Sequence, residues 1–148
     1  MGIRAALDRL VVVESALAIT APVKANVKKA YKTYPKKGTA LSAPCMMNGW
    51  TLRQHDRFVA LREQRLTISI QLFADDADTD RAADIAAAFY EVLVDALDDD
   101  VTLNGNVTDS VLRGGDPTLA GLEWDGRVYV GLQLFLDVTI SEARAFGP

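Results

Sequence analysis

The chain is poor in the residues that most often carry chemistry. Of its 148 residues one is a cysteine, Cys45, and one is a histidine, His55. A single thiol excludes an internal disulfide framework and any cysteine-rich zinc site, so the fold does not depend on an oxidising compartment and suits a reducing cytoplasm. No apolar run approaches the ~20 residues that span a bilayer. The opening stretch MGIRAALDRLVVVESALAIT has the greasiness of a signal peptide, but Asp8 and Glu14 interrupt it and its leading charge is slight, so export is not expected. Position 6 is Ala6, where a myristoylation signal needs Ser or Thr, and no membrane role is expected. Without export, the glycosylation acceptor Asn106-Val107-Thr108 is a chance match. Phosphate cradles are missing as well: there is no G-x-G-x-x-G and no Walker sequence, and Gly114-Gly115 leads into Asp116-Pro117 rather than a lysine-bearing helix start. Internal repeats and low-complexity segments are also absent.

Little remains for catalysis. A nucleophilic site needs a thiol or hydroxyl with a base beside it, and His55 follows Cys45 by ten residues, a spacing that leaves room for a dyad. No third residue to orient the pair is identifiable, QHDRF reads as a polar strand surface, and Cys45 reads as a small buried filler. Asp76, Asp78 and Asp80 begin like a calcium loop, but its sixth position is Arg81 instead of glycine and its twelfth is Ala87 instead of glutamate. A solvated acidic turn at a helix start is the better reading. Neither enzymatic activity, nor a metal, nor a cofactor is expected.

What is present is globular: 49% apolar and 24% charged residues in a length suited to one domain spanning 1–148. The net charge of −4 is unevenly spread. From Ser15 to His55 there is no acid, only six lysines and Arg53, for +7; from Asp75 to Asp100 there are ten acids against Arg81, for −9. Such a chain can hold its own halves together or stack head to tail with copies of itself. The basic stretch 24–37, interleaved with Tyr31 and Tyr34, is the one feature able to grip a nucleic acid backbone. Having lysines but no arginine there, it lacks the fork that reads bases, so sequence-specific binding is not expected.

Periodicity supplies the elements. In residues 127–141, RVYVGLQLFLDVTIS, every second residue from Val128 to Ile140 is apolar, which is one long strand with a continuous greasy face. Asp125-Gly126 before it is a hairpin dipeptide, with Leu122 to Trp124 as the antiparallel partner. Ile3, Leu7, Leu10, Val13 and Leu17 predict an amphipathic helix over 2–19, bounded by Pro22. Residues 23–34 read as a polar strand reaching a turn at Pro35–Gly38, and 39–50 as a neutral loop or strand closed by the turn dipeptide Asn48-Gly49. From Phe58 to Phe73 a second extended element carries Leu66, Ile68, Ile70 and Leu72 on one side. A helix begins at Asp78-Thr79-Asp80 with a capping side chain, buries Ala82, Ile85, Ala86, Phe89, Leu93 and Leu97, and frays at Asp98-Asp99-Asp100. Asn104-Gly105 turns into a short strand over Val107 to Leu112, and 114–117 opens a loop to the hairpin. The expected fold is α+β, an antiparallel or mixed twisted sheet with two helices packed on it.

VTDSVLRGGDP, a short loop, and then DGRVYVGLQLFLDVTI resemble the carboxy-terminal half of the tail terminator, or tail-completion, proteins of long-tailed bacteriophages. The element order fits nearly the whole chain; the specific match covers about a quarter. The resemblance implies a structural protein of the virion, made in the host cytoplasm. It assembles as a homo-oligomeric ring, commonly a hexamer, on the head-proximal end of the tail tube, stops tube growth, docks the neck or head-closure protein, and leaves a channel through which DNA passes. Arg113, Asp116, Asp125, Gly126 and Arg127 lie in the matched stretch, where turn and fold roles account for them. For such a ring the candidate interface residues are Lys24, Lys28, Lys29, Lys32, Lys36 and Lys37, the soft apolar Met46, Met47 and Trp50, and Asp98, Asp99 and Asp100. Met46, Met47 and Trp50 have a second reading as plugs for the open end of the core. Another neck or tube ring component, and a small cytoplasmic enzyme using Cys45 and His55, are the alternatives.

Overall fold

The alternating run at 127–141 becomes the spine of the sheet. In the computed structural model, which describes residues 2–77, 79–113 and 118–143, the elements in chain order are α1 (Ile3–Ser15), β1 (Ala18–Ile19), β2 (Ala25–Asn26), β3 (Lys29–Tyr31), β4 (Cys45–Arg57), β5 (Leu61–Asp76), α2 (Ala82–Asp98), β6 (Asp109–Leu112), β7 (Thr118–Trp124) and β8 (Arg127–Ala143). Strand β8 pairs antiparallel with β5 along almost its whole length, setting Leu132 opposite Leu72, Leu134 opposite Ile70, Leu136 opposite Ile68 and Val138 opposite Leu66. Directly opposed apolar pairs of this kind are the unit of sheet stabilisation. β4 lies antiparallel on the other side of β5, and β3 runs parallel to its first residues. β7 and β6 share the far edge of β8, β7 along its first half and β6 near its end. The short β1–β2 ladder is separate. This is the expected α+β domain with a mixed sheet.

Both helices cover one face. Ala6, Leu7 and Leu10 of α1 and Ile85, Ala86, Phe89, Leu93 and Leu97 of α2 join the β5 and β8 stripe in one core, and the sixth residue expected from α2, Ala82, is buried as well. On the opposite face a smaller cluster of Leu41, Cys45, Met47, Phe73 and Tyr129 is packed by Tyr31, Leu122 and Trp124, with the Phe73 and Tyr129 rings edge to face at 5.5 Å. Trp124 Nε1 donates to the Thr39 carbonyl at 2.9 Å and so ties the hairpin to the 39–44 segment. The hairpin turn is as expected: Asp125 and Gly126 have φ of 52° and 78°, the left-handed pair that matches the twist of the strands, although β7 begins earlier, at Thr118.

Several boundaries move for local reasons. α1 stops at Ser15, four residues early, because Leu17 and Ile19 turn back under the sheet as β1 rather than continuing the helix toward Pro22. α2 begins after Arg81, with no side-chain cap; Asp78 of the expected cap lies outside the described residues. Its acidic end is held rather than frayed, since the Asp100 carboxylate accepts from Arg9 Nε and from the Asn104 backbone N–H, each at 2.8 Å. The polar strand expected over 23–34 is two short pieces, β2 and β3. The strand expected over 107–112 starts at Asp109, with Val107 buried just before it. The loop expected over 114–117, including Asp116, lies outside the described residues.

The largest departure is at Asn48-Gly49. Instead of turning the chain, this dipeptide sits inside β4, paired to Ile70 and Ser69. Asn48 is buried and bonded from its amide to Glu14 and to the Tyr31 carbonyl, so its polar group is used in the core rather than in a turn. At Gly49 a Cβ would meet Ser69 Oγ at 3.0 Å and Tyr34 Oη at 3.1 Å; glycine lets the tyrosine lie over the strand. The actual reversal is the two-residue turn Val59-Ala60, closed by the Phe58 N–H to the Leu61 carbonyl at 2.7 Å, where no turn residue announces it.

Candidate interaction surfaces

Register decides which side chains of β4 face outward. Met46 and Met47 are each 0% exposed, one in the main core and one in the smaller cluster, so they are not a contact patch but filler on both faces of the sheet. Trp50, in line with Met46 and Asn48, lies beyond the reach of the helices and stays about half exposed, as does Leu52. Lys24, Lys28 and Lys29 are exposed on the β2–β3 side, and Lys36 and Lys37 are exposed in the loop that follows, Lys37 beside the hairpin residues Glu123 to Gly126; none has a carboxylate partner at ion-pair distance among the described residues. Lys29 rests over the Tyr31 ring at 5.8 Å, and Lys32 is paired with Asp8 at 2.7 Å. On α2, Asp84, Glu91, Asp95, Asp98 and Asp99 are exposed and likewise without ion-pair partners, while Asp100 is taken by Arg9. Among the described residues no ion pair joins the +7 segment to the −9 segment, so neither charge surface is neutralised by the other.

Two further features were not among the candidate residues. Beyond Met47 no strand among the described residues pairs with the outer edge of β4, and past Gly49, where Tyr34 lies over the strand, its backbone donors and acceptors are unpaired by a strand on that side as far as Arg57. The β4–β5 hairpin also forms an arm: from Trp50 to Leu61 only Asp56 is even half-buried, and its tip presents Phe58 and Val59, 57% and 77% exposed. The sequence signal was available, in that LRQHDRFVALREQR has strand alternation on neither side of Phe58-Val59 and so no core to bury them. Within the arm Arg57 is paired directly opposite Arg62. Arg62 is bridged to Glu142, whereas Arg57 has no carboxylate partner among the described residues.

Beyond the smaller cluster, the face of the sheet away from the helices carries a polar trio. Arg113 Nη2 donates to Asp137 Oδ1 at 3.0 Å and to Thr67 Oγ1 at 2.9 Å, and Thr67 Oγ1 donates to the same carboxylate at 2.7 Å. Burial pulls the Asp137 pKa up, but the hydrogen bonds from Arg113 and Thr67 and the charges of Arg113 and Arg53 outweigh it and hold the group below the usual carboxylate value. Beside this trio lies an open groove of about 440 Å³ lined by Arg53, Arg65, Asp109, Asp137 and Thr139. Its arginines face acids in similar number, so it offers no concentrated charge of either sign.

One buried ionisable group was also unforeseen. Glu14 occupies the place on α1 where Val13 was expected, is 0% exposed, and accepts from Asn48 Nδ2 at 2.7 Å. Its Oε2 and the Asn48 Oδ1 have no hydrogen-bond partner among the described residues. Desolvation pushes the Glu14 pKa up to about 8, against the lowering effect of the Asn48 bond. The signal lay in the spacing Leu7, Leu10, Glu14, Leu17, which puts the glutamate on the apolar stripe.

The Cys45–His55 pair does not form. Both are on β4, and at ~3.3 Å per residue ten positions separate them by roughly 30 Å. Cys45 is sealed in the smaller cluster, where burial raises its thiol pKa to about 11, and His55 is on the arm with Nδ1 3.0 Å from Gln64 Nε2. Among the described residues no three His, Cys, Asp or Glu side chains converge on a metal position, and no helix is long and apolar enough to cross a membrane. No protein-family model matches the chain, and no curated protein matches its sequence.

Proposed function

We propose that the protein is a structural assembly subunit that forms a closed ring on the head-proximal end of a phage tail tube, ends the tube's polymerisation, and joins it to the neck while DNA passes through. The observation that carries this reading is the pair of unneutralised charge surfaces, lysine-rich on the β2–β3 side and acidic on α2, on a domain whose sheet keeps one long edge open. A ring needs two unlike patches on each copy, so that contact runs head to tail and closes by rotation. Oppositely charged patches guide that joint and reject the wrong orientation, and an open strand edge can extend a neighbour's sheet. The resemblance of residues 107–140 to tail terminators supports the location, and the acidic whole repels DNA from a channel wall.

Light scattering and native mass spectrometry over a range of concentrations test the ring, and electron microscopy of tubes assembled with the protein tests the location. Expected are a single closed oligomer, six copies by the family resemblance, and tubes of uniform length bearing a cap. Monomers at every concentration together with uncapped tubes of unlimited length would sink the proposal.

A further inference from the structure

We infer that the β4–β5 arm is the donor half of the joint between copies, and that its tip seats on the acidic end of α2 in the next copy. This rests on the ring reading and specifies which surfaces meet.

Three observations add the arm to the lysine-rich surface as a cationic element of that joint. First, interface cores are enriched in arginine and aromatic residues and depleted in lysine, whose compact ammonium is strongly hydrated. The arm carries Arg57 beside exposed Phe58, with Trp50 and Leu52 further along, while Arg53, Arg62 and Arg65 face Asp137, Glu142 and Glu63 of the same chain. Second, Arg57 stands directly opposite Arg62, and like charges so placed destabilise a strand pair. Glu142 relieves one of them; the other has no carboxylate partner among the described residues. Third, the tip couples that charge to apolar surface, since Phe58 and Val59, at the turn beside Arg57, are 57% and 77% exposed.

The receiving surface must then be acidic with apolar ground next to it. The end of α2 meets this description: Asp98 and Asp99 are exposed and unpaired, and Val101 follows them, 41% exposed. The Arg9–Asp100 bridge brings α1 against this end, and Val12, one helical turn after Arg9 and well exposed, adds a second apolar residue. Phe58 and Val59 would lie on Val12 and Val101 while Arg57 meets Asp98 or Asp99. Because donor and acceptor are different surfaces, the contact is heterologous and propagates around a ring.

The test uses the full chain and native mass spectrometry, with thermal melts to establish that each variant folds. Arg57→Glu, and separately Asp98→Arg with Asp99→Arg, should each weaken self-association about tenfold or more, and the three changes together should restore it to within about threefold. A Val59→Cys, Val101→Cys variant should give a ladder of disulfide-linked multimers on oxidation, because the native Cys45 is sealed in the core and does not compete. Rings that ignore Arg57→Glu and Val59→Asp would overturn the arm as donor while leaving the ring reading intact. Weakening by both single sets without rescue or cross-linking would overturn the α2 end as acceptor. A wild-type chain that never leaves the monomer would instead overturn the ring reading, and this inference with it.

Discussion

Glu14 shows how one side chain can set the pH response of the whole fold. Below about pH 4.5 its carboxyl is protonated both folded and unfolded, and burial carries no pH-dependent cost. Above that point the unfolded chain releases a proton that the folded chain keeps, so stability falls by about 1.4 kcal/mol per pH unit and levels off only above about 8. Asp100 and Asp137 act in the opposite sense. Burial raises each, but hydrogen bonds and nearby arginines prevail and hold both below their ordinary value of 3.8, so the stability they add is present above that pH and is lost as the pH drops through their lowered values. Urea melts should therefore place maximum stability in the mildly acidic range, near pH 4 to 5, on the order expected from these shifts. Glu14→Gln keeps the shape and the bond to Asn48 without a titrating proton. It should flatten the decline between pH 5 and 8 and gain about 2–4 kcal/mol at pH 7.5. A variant that tracks the wild-type slope would show that Glu14 is not the group responsible.

Among the elements, the two-faced strand β8 depends on a glycine. Gly131 pairs with Phe73 next to an irregularity in β5, and a Cβ there would lie 2.1 Å from the Leu72 carbonyl oxygen, which is backbone and has no room to retreat. Gly131→Ala should cost on the order of 3 kcal/mol, the upper end of the ~1–3 kcal/mol typical of overpacking, and thermal melts would measure it. Gly49→Ala in β4 should cost about 1 kcal/mol, since there the obstructing atoms are the side-chain oxygens of Tyr34 and Ser69, which can move. A larger loss at Gly49 than at Gly131 would contradict the ranking. The arm has the reverse property. Its residues contribute little to the core, so substitutions at Phe58 and Val59 should leave the melting temperature within about 2 °C while altering association.

At the level of the molecule, charge separation carries the argument. Lysines collect around β2 and β3 and acids on α2, and among the described residues these lysines and α2 acids enter only the Asp8–Lys32 and Arg9–Asp100 bridges, neither of which joins one set to the other. An assembly joined through such surfaces should loosen as ionic strength rises, because at physiological salt the Debye length is already ~8 Å. Sedimentation at 50 mM and 500 mM salt should show a shift toward smaller species. A distribution unchanged across that range would assign the joint to apolar and backbone contacts alone.

Period and turn chemistry were legible directly in the residues. The alternation through β8 and β5, the helical stripe of α2 and the Asp125-Gly126 hairpin each follow from local rules, because in each the buried side is decided by spacing along one segment. Less followed where two segments had to meet. Asn48-Gly49 has the chemistry of a turn and became mid-strand, because Glu14, 34 residues earlier, arrives to bond the asparagine. Met46 and Met47 had the look of a contact patch until the sheet gained cover on both sides at that end. Lysines and acids were countable from the start, and their failure to meet was not. Amino-acid order governs what each segment does with its own neighbours; partners brought together from far along the chain decide which polar groups are sealed inside and which charges are left facing outward, since burial is a property of the folded surface and not of any one stretch.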